Sequence, residues 1–111
     1  MLTISGHPHF FVIRLSRSLN ASNAIEFQHQ VTAAVRKERH NIVLVDMEQV
    51  EFLDSAGLMK LAYGLRLANI LGQRFSLCSV SPSIRIIFEI TQLDQVFEIF
   101  ESFAAFEAAL A

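Results

Sequence analysis

The residues with the clearest chemical potential lie in the turn Asp54-Ser55-Ala56-Gly57, between a strand-like segment and a helical pattern. We expect Ser55 at or just before the helix start, with its hydroxyl near solvent. The unpaired N–H groups and partial positive charge of a helix N-terminus would partly stabilise a phosphate on Ser55. That phosphate adds a charge of about −2, which Asp54 would repel, so the local surface would change. Gly57, without a side chain, would let the backbone of another protein come close.

Helix capping is the simpler interpretation of the same turn, because Asp and Ser are both favoured N-cap residues. The residue types and their spacing leave two possibilities open: a cap alone, or a cap that is also a phosphorylation switch. Only modification of Ser55 distinguishes the two.

Other candidate reactive residues are isolated. His7 and His9 could share one face of a strand and bind a metal, but no third ligand is evident and a turn at Pro8 explains them without one. Cys78 lies in an apolar segment typical of a buried, unreactive thiol, and His29 is expected to be exposed. The sequence has no glycine-rich phosphate loop and no G-x-S-x-G motif. We therefore expect neither an enzyme nor a bound cofactor or metal.

Composition narrows the class of protein. The chain has 111 residues, 52% of them hydrophobic and 18% charged, which predicts a single domain over residues 1–111 with one core. A net charge of −2 offers no basic face for nucleic acid. The single cysteine excludes an intrachain disulfide. The longest stretch without Asp, Glu, Lys or Arg, residues 1–13, is shorter than the roughly 20 residues of a membrane span. It also lacks the early positive charge of a secretory signal, so a cytoplasmic location is expected.

Hydrophobic periodicity predicts alternating strands and helices. An opening hairpin of strands 2–5 and 10–15 is followed by a polar loop, 16–22, and by a helix over 23–38 that Asn23 and Glu26 would cap. The continuous apolar run 42–45 is typical of a strand covered on both faces. Further strands are expected at 75–80 and 96–100, and helices at 55–71, 82–91 and 103–110. The prediction is an α/β fold of order β-β-α-β-α-β-α-β-α, with a mixed, mostly parallel sheet of four to five strands and four helices.

Two of these helices carry further expectations. The apolar stripe of the first helix is Ala24, Phe27, Val31, Ala34 and Val35. The second helix is expected to turn Leu58, Met59, Leu61, Ala62, Leu65 and Ala68 inward and to stop at Gly72. Ser81 or Ser83 would cap the third helix, and Ser102 the last one.

Residues 50–58, VEFLDSAGL, resemble the signature of the STAS domain, a family that includes anti-sigma factor antagonists. Residues 19–24 resemble its L-D-x-x-S/T-A loop, and residues 42–47 resemble its central strand. Residues 80–85 and 91–97 resemble its V-S-P-x-V/L-K/R and S/T-G-L-D-x-x-F/I segments. The resemblance covers nearly the whole chain in order, and the D-S-x-G-L turn is its most specific part.

The resemblance implies a bacterial partner-switching regulator with a STAS-like fold. In the antagonist branch, the serine matching Ser55 is phosphorylated by an anti-sigma factor that is also a serine kinase. Unphosphorylated antagonist binds that kinase and frees the sigma factor, and a PP2C-type phosphatase restores binding. The protein would act as a monomer and as a substrate, not as an enzyme. The partner-binding residues it implies are Asn20, Asn23, Asp54, Ser55, Ala56, Gly57 and Leu58.

Three residues depart from the family pattern. Asn20 stands where aspartate is usual, which removes a negative charge near Ser55 and can change kinase recognition. Ala56 stands where some members have a second serine, so Ser55 is the only hydroxyl in the turn. Gln92 replaces a usual glycine, which bears on a loop and not on the switch.

Two other functions stay open. STAS-like domains also serve as accessory subunits of transport or lipid-trafficking complexes, where the serine need not be phosphorylated. The region from Ile86 onward could dock such a partner, because it has five acidic residues and no basic ones, although a solvated face is the simpler explanation. The stripe Phe97, Phe100, Phe103 and Phe106 indicates core packing first, and a lipid or partner groove second. A small-ligand sensor is the third possibility, without a phosphate-binding loop to support it.

Overall fold

The computed structural model describes residues 2–6, 10–36 and 42–110, with residues 2–6 described by their backbone. The described residues form five strands and four α-helices in the predicted order. The strands are β1 (Leu2–Gly6), β2 (Phe11–Leu19), β3 (Ile42–Leu53), β4 (Arg74–Cys78) and β5 (Glu98–Phe100). The helices are α1 (Ala24–Val35), α2 (Ser55–Ile70), α3 (Pro82–Thr91) and α4 (Phe103–Leu110), with a short 3₁₀ helix over Leu93–Gln95.

The strands form one sheet in the order β1-β2-β3-β4-β5. Strand β1 is antiparallel to β2, and the other neighbouring pairs are parallel. This confirms the predicted mixed, mostly parallel α/β fold. The apolar run at the start of β3 is buried throughout, as expected for a strand with both faces covered. The predicted hairpin turn, with His7 and Pro8, lies outside the described residues.

The two faces of the sheet are covered unequally. Alternate strand residues point to opposite faces, so Ile13 and Val45 join a large core with α1, α2 and α3, and Val12 and Leu44 join a smaller core with α4. The predicted apolar stripe of α1 is buried in full, and all of it except Ala24 belongs to the larger core. Three helices therefore cover one face, and α4 covers the other.

Of the four phenylalanines near the C-terminal end, Phe97 and Phe106 are buried, and Phe100 and Phe103 are half-buried against the smaller core. Phe97 packs on the three-helix side, with its ring centroid 5.6 Å from that of Phe88. Phe106 is buried on the α4 side, 5.0 Å from Phe10 and 5.4 Å from Phe100 in edge-to-face contacts. The interpretation as core packing is confirmed, because this stripe is divided between the two faces of the sheet.

The predicted boundaries of β2 and β3 are wrong. Strand β2 continues to Leu19 through the expected polar loop, and β3 is one strand that continues to Leu53. The two strands pair in parallel along this extension, but eight residues of β3, 46–53, lie opposite six of β2, 14–19. Two bulges absorb the extra residues, and Arg17 adopts a left-handed φ of 65° beside them. Burial in β3 then recurs every third residue, and this hides the strand from a period-two search.

Helix ends confirm some predicted caps and correct one. Ser81 Oγ accepts a 3.4 Å hydrogen bond from Ile84 N, and Ser102 Oγ accepts one of 3.0 Å from Ala105 N. Asn23 makes no side-chain cap on α1, so the predicted pair with Glu26 is wrong. Its amide is occupied by the loop before the helix. Helix α1 is described as ending at Val35, and the expected extension over 37–38 lies outside the described residues.

Met59 was expected to face the core, but its side chain is 69% exposed. Helix α2 rests on the sheet through Gly57, Leu61, Gly64 and Ala68, which are the buried positions along the helix. Met59 falls on the opposite side of that stripe. Gly57 and Gly64 have no side chains, so they allow the helix to approach the sheet closely. The prediction considered hydrophobicity alone and therefore placed Met59 on the buried side.

Candidate functional site

The expected site forms where two neighbouring parallel strands end. Leu19, the last residue of β2, is paired with Leu53, the last residue of β3. Residues 20–23 and 54–57 therefore lie next to each other at the carboxyl edge of the sheet, and helices α1 and α2 begin there. The structure thus brings together the two segments that the sequence predicted to carry the partner-binding residues.

Asp54 ties these two segments together. It is the N-cap of α2, and its Oδ1 accepts a 2.9 Å hydrogen bond from Gly57 N. Its Oδ2 accepts a 3.1 Å hydrogen bond from Ala21 N in the neighbouring loop. The Asp54 N–H donates to the Leu19 carbonyl at 3.3 Å. Both carboxylate oxygens are thus engaged within the chain, and the capping role of Asp54 is confirmed.

Asn20 and Asn23 fasten the loop that Asp54 holds. Asn20 Nδ2 donates to Ser18 Oγ at 2.8 Å, and its Oδ1 accepts from Ser22 N at 2.9 Å and Ser22 Oγ at 2.6 Å. Asn23 Oδ1 accepts from Asn20 N at 2.9 Å, and its Nδ2 donates to Ser18 O at 2.8 Å. An aspartate at position 20 could keep both bonds from Ser22 but could not donate to Ser18.

The packing of α2 against the end of β2 requires a glycine at position 57. Gly57 is buried, and a Cβ added there would lie 2.3 Å from the Leu19 carbonyl oxygen and 2.8 Å from its carbonyl carbon. The expectation that this glycine leaves space for another protein's backbone is corrected, because the end of β2 fills that space. Gly57 lets α2 begin directly against β2, and that contact sets the position of the turn.

Ser55 is the first residue of α2 and is exposed, which confirms its expected place. Asp54 already accepts hydrogen bonds from two N–H groups of the first turn, from Gly57 with its side chain and from Leu58 with its carbonyl at 2.9 Å. Ala56 and Leu58 are half-buried, so Ser55 is the member of this turn that faces solvent most openly. The N-cap position of α2 is thus already occupied by the Asp54 carboxylate.

Three exposed apolar residues lie near this turn or its neighbouring loop in the chain, and none of them was among the predicted site residues. Phe52, at the end of β3, is 56% exposed, and Ile25, in the first turn of α1, is 65% exposed. Met59 lies one helical turn after Ser55. Their position in the sequence could have indicated them. Ile25 and Met59 lie within about one helical turn of predicted site residues, and Phe52 lies among the last residues of the strand that leads to the turn. A contiguous exposed apolar patch is typical of a surface that binds protein, whereas single exposed apolar side chains are common.

The remaining candidate residues show no sign of chemistry. Burial, the main cause, raises the pKa of the Cys78 thiol to about 12, so it is held protonated. His29 is exposed on α1, as expected. No three His, Cys, Asp or Glu side chains of residues 10–36 and 42–110 form a group that could hold a metal, and His7 and His9 fall outside those ranges. Within the part of the chain that the structure describes, no helix has the length and apolarity to cross a membrane.

The acidic residues near the C-terminal end do not form one free surface. Glu98 accepts a 2.6 Å hydrogen bond from Arg74 Nε and bonds to Ser76 Oγ as well. The bond from Arg74 is the main cause that lowers the pKa of Glu98. The other four acidic residues are spread over α3, the 3₁₀ helix and the segment that leads into and through α4. A docking role for these residues gains no support from their placement.

The mixed sheet with three helices on one face and one on the other, and the serine turn at its edge, define the STAS class of α/β domain. The profile of the STAS domain family matches residues 1–106, and the chain belongs to this family.

Several known proteins are similar to the chain. An anti-sigma F factor antagonist of Paenibacillus polymyxa is 21% identical over 90 residues, which is 81% of this chain and 77% of that protein. The crystal structure of an anti-sigma factor antagonist from Mycobacterium paratuberculosis superposes with a TM-score of 0.86 at 22% identity, covering 100% of this chain and 94% of that one. The phosphorylated form of the Bacillus cell fate determinant SpoIIAA superposes with a TM-score of 0.80 at 17% identity, covering 100% of both. At these identities the structural likeness shows the shared fold.

Proposed function

We propose that this protein is an anti-sigma factor antagonist of bacteria that works by partner switching. In its unphosphorylated form it binds an anti-sigma factor that is a serine kinase, and it thereby releases a sigma factor to act in transcription. The kinase phosphorylates Ser55, and the modified antagonist leaves the complex. A PP2C-type phosphatase returns it to the binding form. The protein has no catalytic part in this cycle, which takes place in the cytoplasm.

The observation that carries this proposal is the exposed hydroxyl of Ser55 on a turn held rigidly from both sides. Asp54 bonds to Gly57 N in α2 and to Ala21 N in the neighbouring loop, which leaves Ser55 outward at the first helical residue. A kinase needs such access to an acceptor hydroxyl. The similarity to antagonists of Paenibacillus and Mycobacterium, and to a SpoIIAA structure in its phosphorylated form, supports the same interpretation.

Phosphorylation would act on the surface charge. Ile25, Phe52 and Met59 are exposed and lie near the turn or its neighbouring loop in the chain, so a partner that covers Ser55 could cover them with apolar atoms of its own. A phosphate of about −2 charge on Ser55 must be desolvated when a partner covers this turn, and that opposes association. The fold itself stays intact, since Ser55 is exposed and no core contact depends on it.

The experiment has two parts, and the first is mass spectrometry of the chain from its own cells, in growth and under stress. The proposal expects a single phosphate on Ser55 whose occupancy changes with condition. In the second part, the anti-sigma factor kinases of the same organism are purified and tested one at a time with ATP. One of them should phosphorylate wild type and leave Ser55→Ala unmodified.

Binding to that kinase is then compared for Ser55→Asp, Ser55→Asn and Ser83→Asp. Ser83 is a matched control, because it is exposed in the first turn of α3. Ser55→Asp should abolish binding while its circular dichroism stays native, Ser55→Asn should bind better than Ser55→Asp, and Ser83→Asp should bind as wild type does. Wild-type affinity of Ser55→Asp would refute the switch. A well-covered Ser55 peptide without phosphate in every condition would favour an accessory subunit of a transport or lipid-trafficking complex instead.

A further inference from the structure

The outward side of α2 carries a second feature, a shallow depression of about 420 Å³ that begins one turn after Ser55. Ser55, Met59 and Tyr63 are spaced four residues apart, so they follow one side of the helix. The depression, which we call the α2 groove, is lined by Met59, Lys60, Ala62, Tyr63 and Arg66. Of these side chains, Met59 also belongs to the exposed apolar residues near Ser55, and it is exposed in a position where hydrophobicity predicted burial.

The α2 groove combines an apolar floor with positive charge. Helix α2 contains Lys60 and Arg66 and no acidic residue, although the chain as a whole has a net charge of −2. The Lys60 ammonium lies 5.9 Å from the centroid of the Tyr63 ring, and the Tyr63 hydroxyl is 3.2 Å from Thr32 Oγ1 of α1. That bond holds the ring against the neighbouring helix. The positive charge therefore lies beside a fixed aromatic ring and a flexible methionine.

We propose that the α2 groove docks an acidic segment, with at least one apolar side chain, of the kinase that phosphorylates Ser55. The proposal rests on the proposed function and adds the chemistry of the partner's contact. Charge complementarity selects the occupant: acidic side chains pair with Lys60 and Arg66, and the apolar side chain covers Met59 and Tyr63. Methionine is suited to such a contact, because its unbranched side chain adapts to the shape of the partner.

The same groove explains how phosphorylation would release the partner. At 1.5 Å per residue, Ser55 precedes Lys60 by about 7.5 Å along the helix axis, so a phosphate on Ser55 would stand at the end of the helix that carries the positive charge of the groove. A phosphate on Ser55 therefore opposes the positive potential that attracts the acidic segment. Release follows from loss of attraction along the groove as well as from the desolvation of the phosphate in the turn.

The test measures binding of wild type, Lys60→Glu/Arg66→Glu, Met59→Ala and Arg85→Glu to the purified kinase that phosphorylates Ser55. Arg85 lies on α3, and its reversal to glutamate changes the charge by two units outside the groove, which is half the change made by the double reversal. Raising salt from about 50 to 300 mM should weaken wild-type binding, and the double reversal should weaken it about tenfold or more and remove most of the salt dependence. Met59→Ala should also bind less tightly, and Arg85→Glu should stay within about twofold. Thermal melts establish that each variant is folded.

Two results overturn the docking proposal while the proposed function stands. In the first, the double reversal binds the kinase with wild-type affinity and is phosphorylated on Ser55 at the wild-type rate. In the second, Arg85→Glu weakens binding to the kinase as much as the double reversal does. If no kinase phosphorylates Ser55, the proposed function fails, and the groove is tested with a blocked peptide of sequence Glu-Glu-Leu-Phe-Glu-Glu. In an NMR titration this peptide should shift the backbone amide resonances of residues 59–66. A control peptide in which each glutamate is replaced by glutamine should not shift them. Equal shifts with both peptides, or none with either, would overturn the groove as an acidic-segment site.

Discussion

Replacement of Gly57 by alanine tests whether the end of β2 fixes the switch turn. The new Cβ would lie 2.3 Å from the Leu19 carbonyl oxygen, so the two backbones must separate by about 1 Å to reach an ordinary contact. Overpacking of this kind costs about 1–3 kcal/mol. The separation also lengthens the 3.3 Å bond from Asp54 N to Leu19 O, which adds about 1 kcal/mol. The better helix propensity of alanine stabilises the fold by about 0.5–1 kcal/mol and offsets part of this loss.

The free energy of unfolding of Gly57→Ala should therefore fall by about 1–3.5 kcal/mol, which lowers Tm by roughly 5–15 °C. Urea unfolding followed by circular dichroism measures this change. Gly64→Ala is the control, because its Cβ would meet the outer ring atoms of Phe75 at 2.8 Å. A ring can turn aside where a backbone cannot, so the control should lose less. A Gly57→Ala protein as stable as Gly64→Ala, or as wild type, would refute the close approach between α2 and β2.

Three further predictions concern Asp54, Cys78 and Glu98. In urea unfolding, Asp54→Ala should lower the free energy of unfolding by about 1–2 kcal/mol, and Asp54→Asn should lower it less because asparagine still caps a helix. An equal decrease in both variants would contradict the capping role of Asp54. Iodoacetamide at pH 8 should label Cys78 about a hundredfold more slowly in the folded protein than in urea, since burial raises the thiol pKa to about 12, and equal rates would contradict that burial. The Arg74 bond lowers the pKa of Glu98, so this carboxylate stabilises the fold above its usual pKa of 4.5 and loses that effect as pH falls through the lower folded value. The stability difference between wild type and Glu98→Gln, about 0.2–1 kcal/mol for such an exposed pair, should therefore be present at pH 7 and shrink below pH 4.5; a difference that grows in acid would contradict this account.

The fold was predictable from the sequence because the strongest patterns had large energetic causes. The apolar run that opens β3 had to be covered on both faces, and the α1 stripe had to face a core, whatever the rest of the chain did. The order of strands and helices followed from these segments and the few glycines and prolines between them. Ser55 was located correctly for a similar reason, since a helix had to begin where the apolar strand ended.

The parts that failed depended on competing contacts, which are local for Asn23 and tertiary for Met59. Asn23 has the residue type of a cap, but the neighbouring Asn20 N–H and Ser18 carbonyl compete for its amide, and they win. Met59 is as hydrophobic as its neighbours, but close approach of α2 through Gly57 and Gly64 decides which side is buried. No local pattern reports either competition, because the partners come from other elements or from the loop geometry.

The α2 groove was missed for a related reason. The sequence of α2 is typical of an ordinary amphipathic helix. Only the structure shows that Met59 and Tyr63 lie on the outward side of the helix together with Lys60 and Arg66. The sign of the charge was visible in the sequence, but the side of the helix it occupies was not.

The two bulges in β3 also determine how this segment can evolve. Eight residues of β3 lie opposite six of β2, so the orientation of the Asp54 turn depends on a count of residues as much as on their types. Deleting one residue between 47 and 53 would shift the side chains after it toward the other face of the sheet and would rotate Ser55 away from its edge. Substitutions at the exposed positions Glu48, Gln49 and Glu51 change none of this geometry. We therefore expect related chains to vary freely in residue type here while this segment keeps its length.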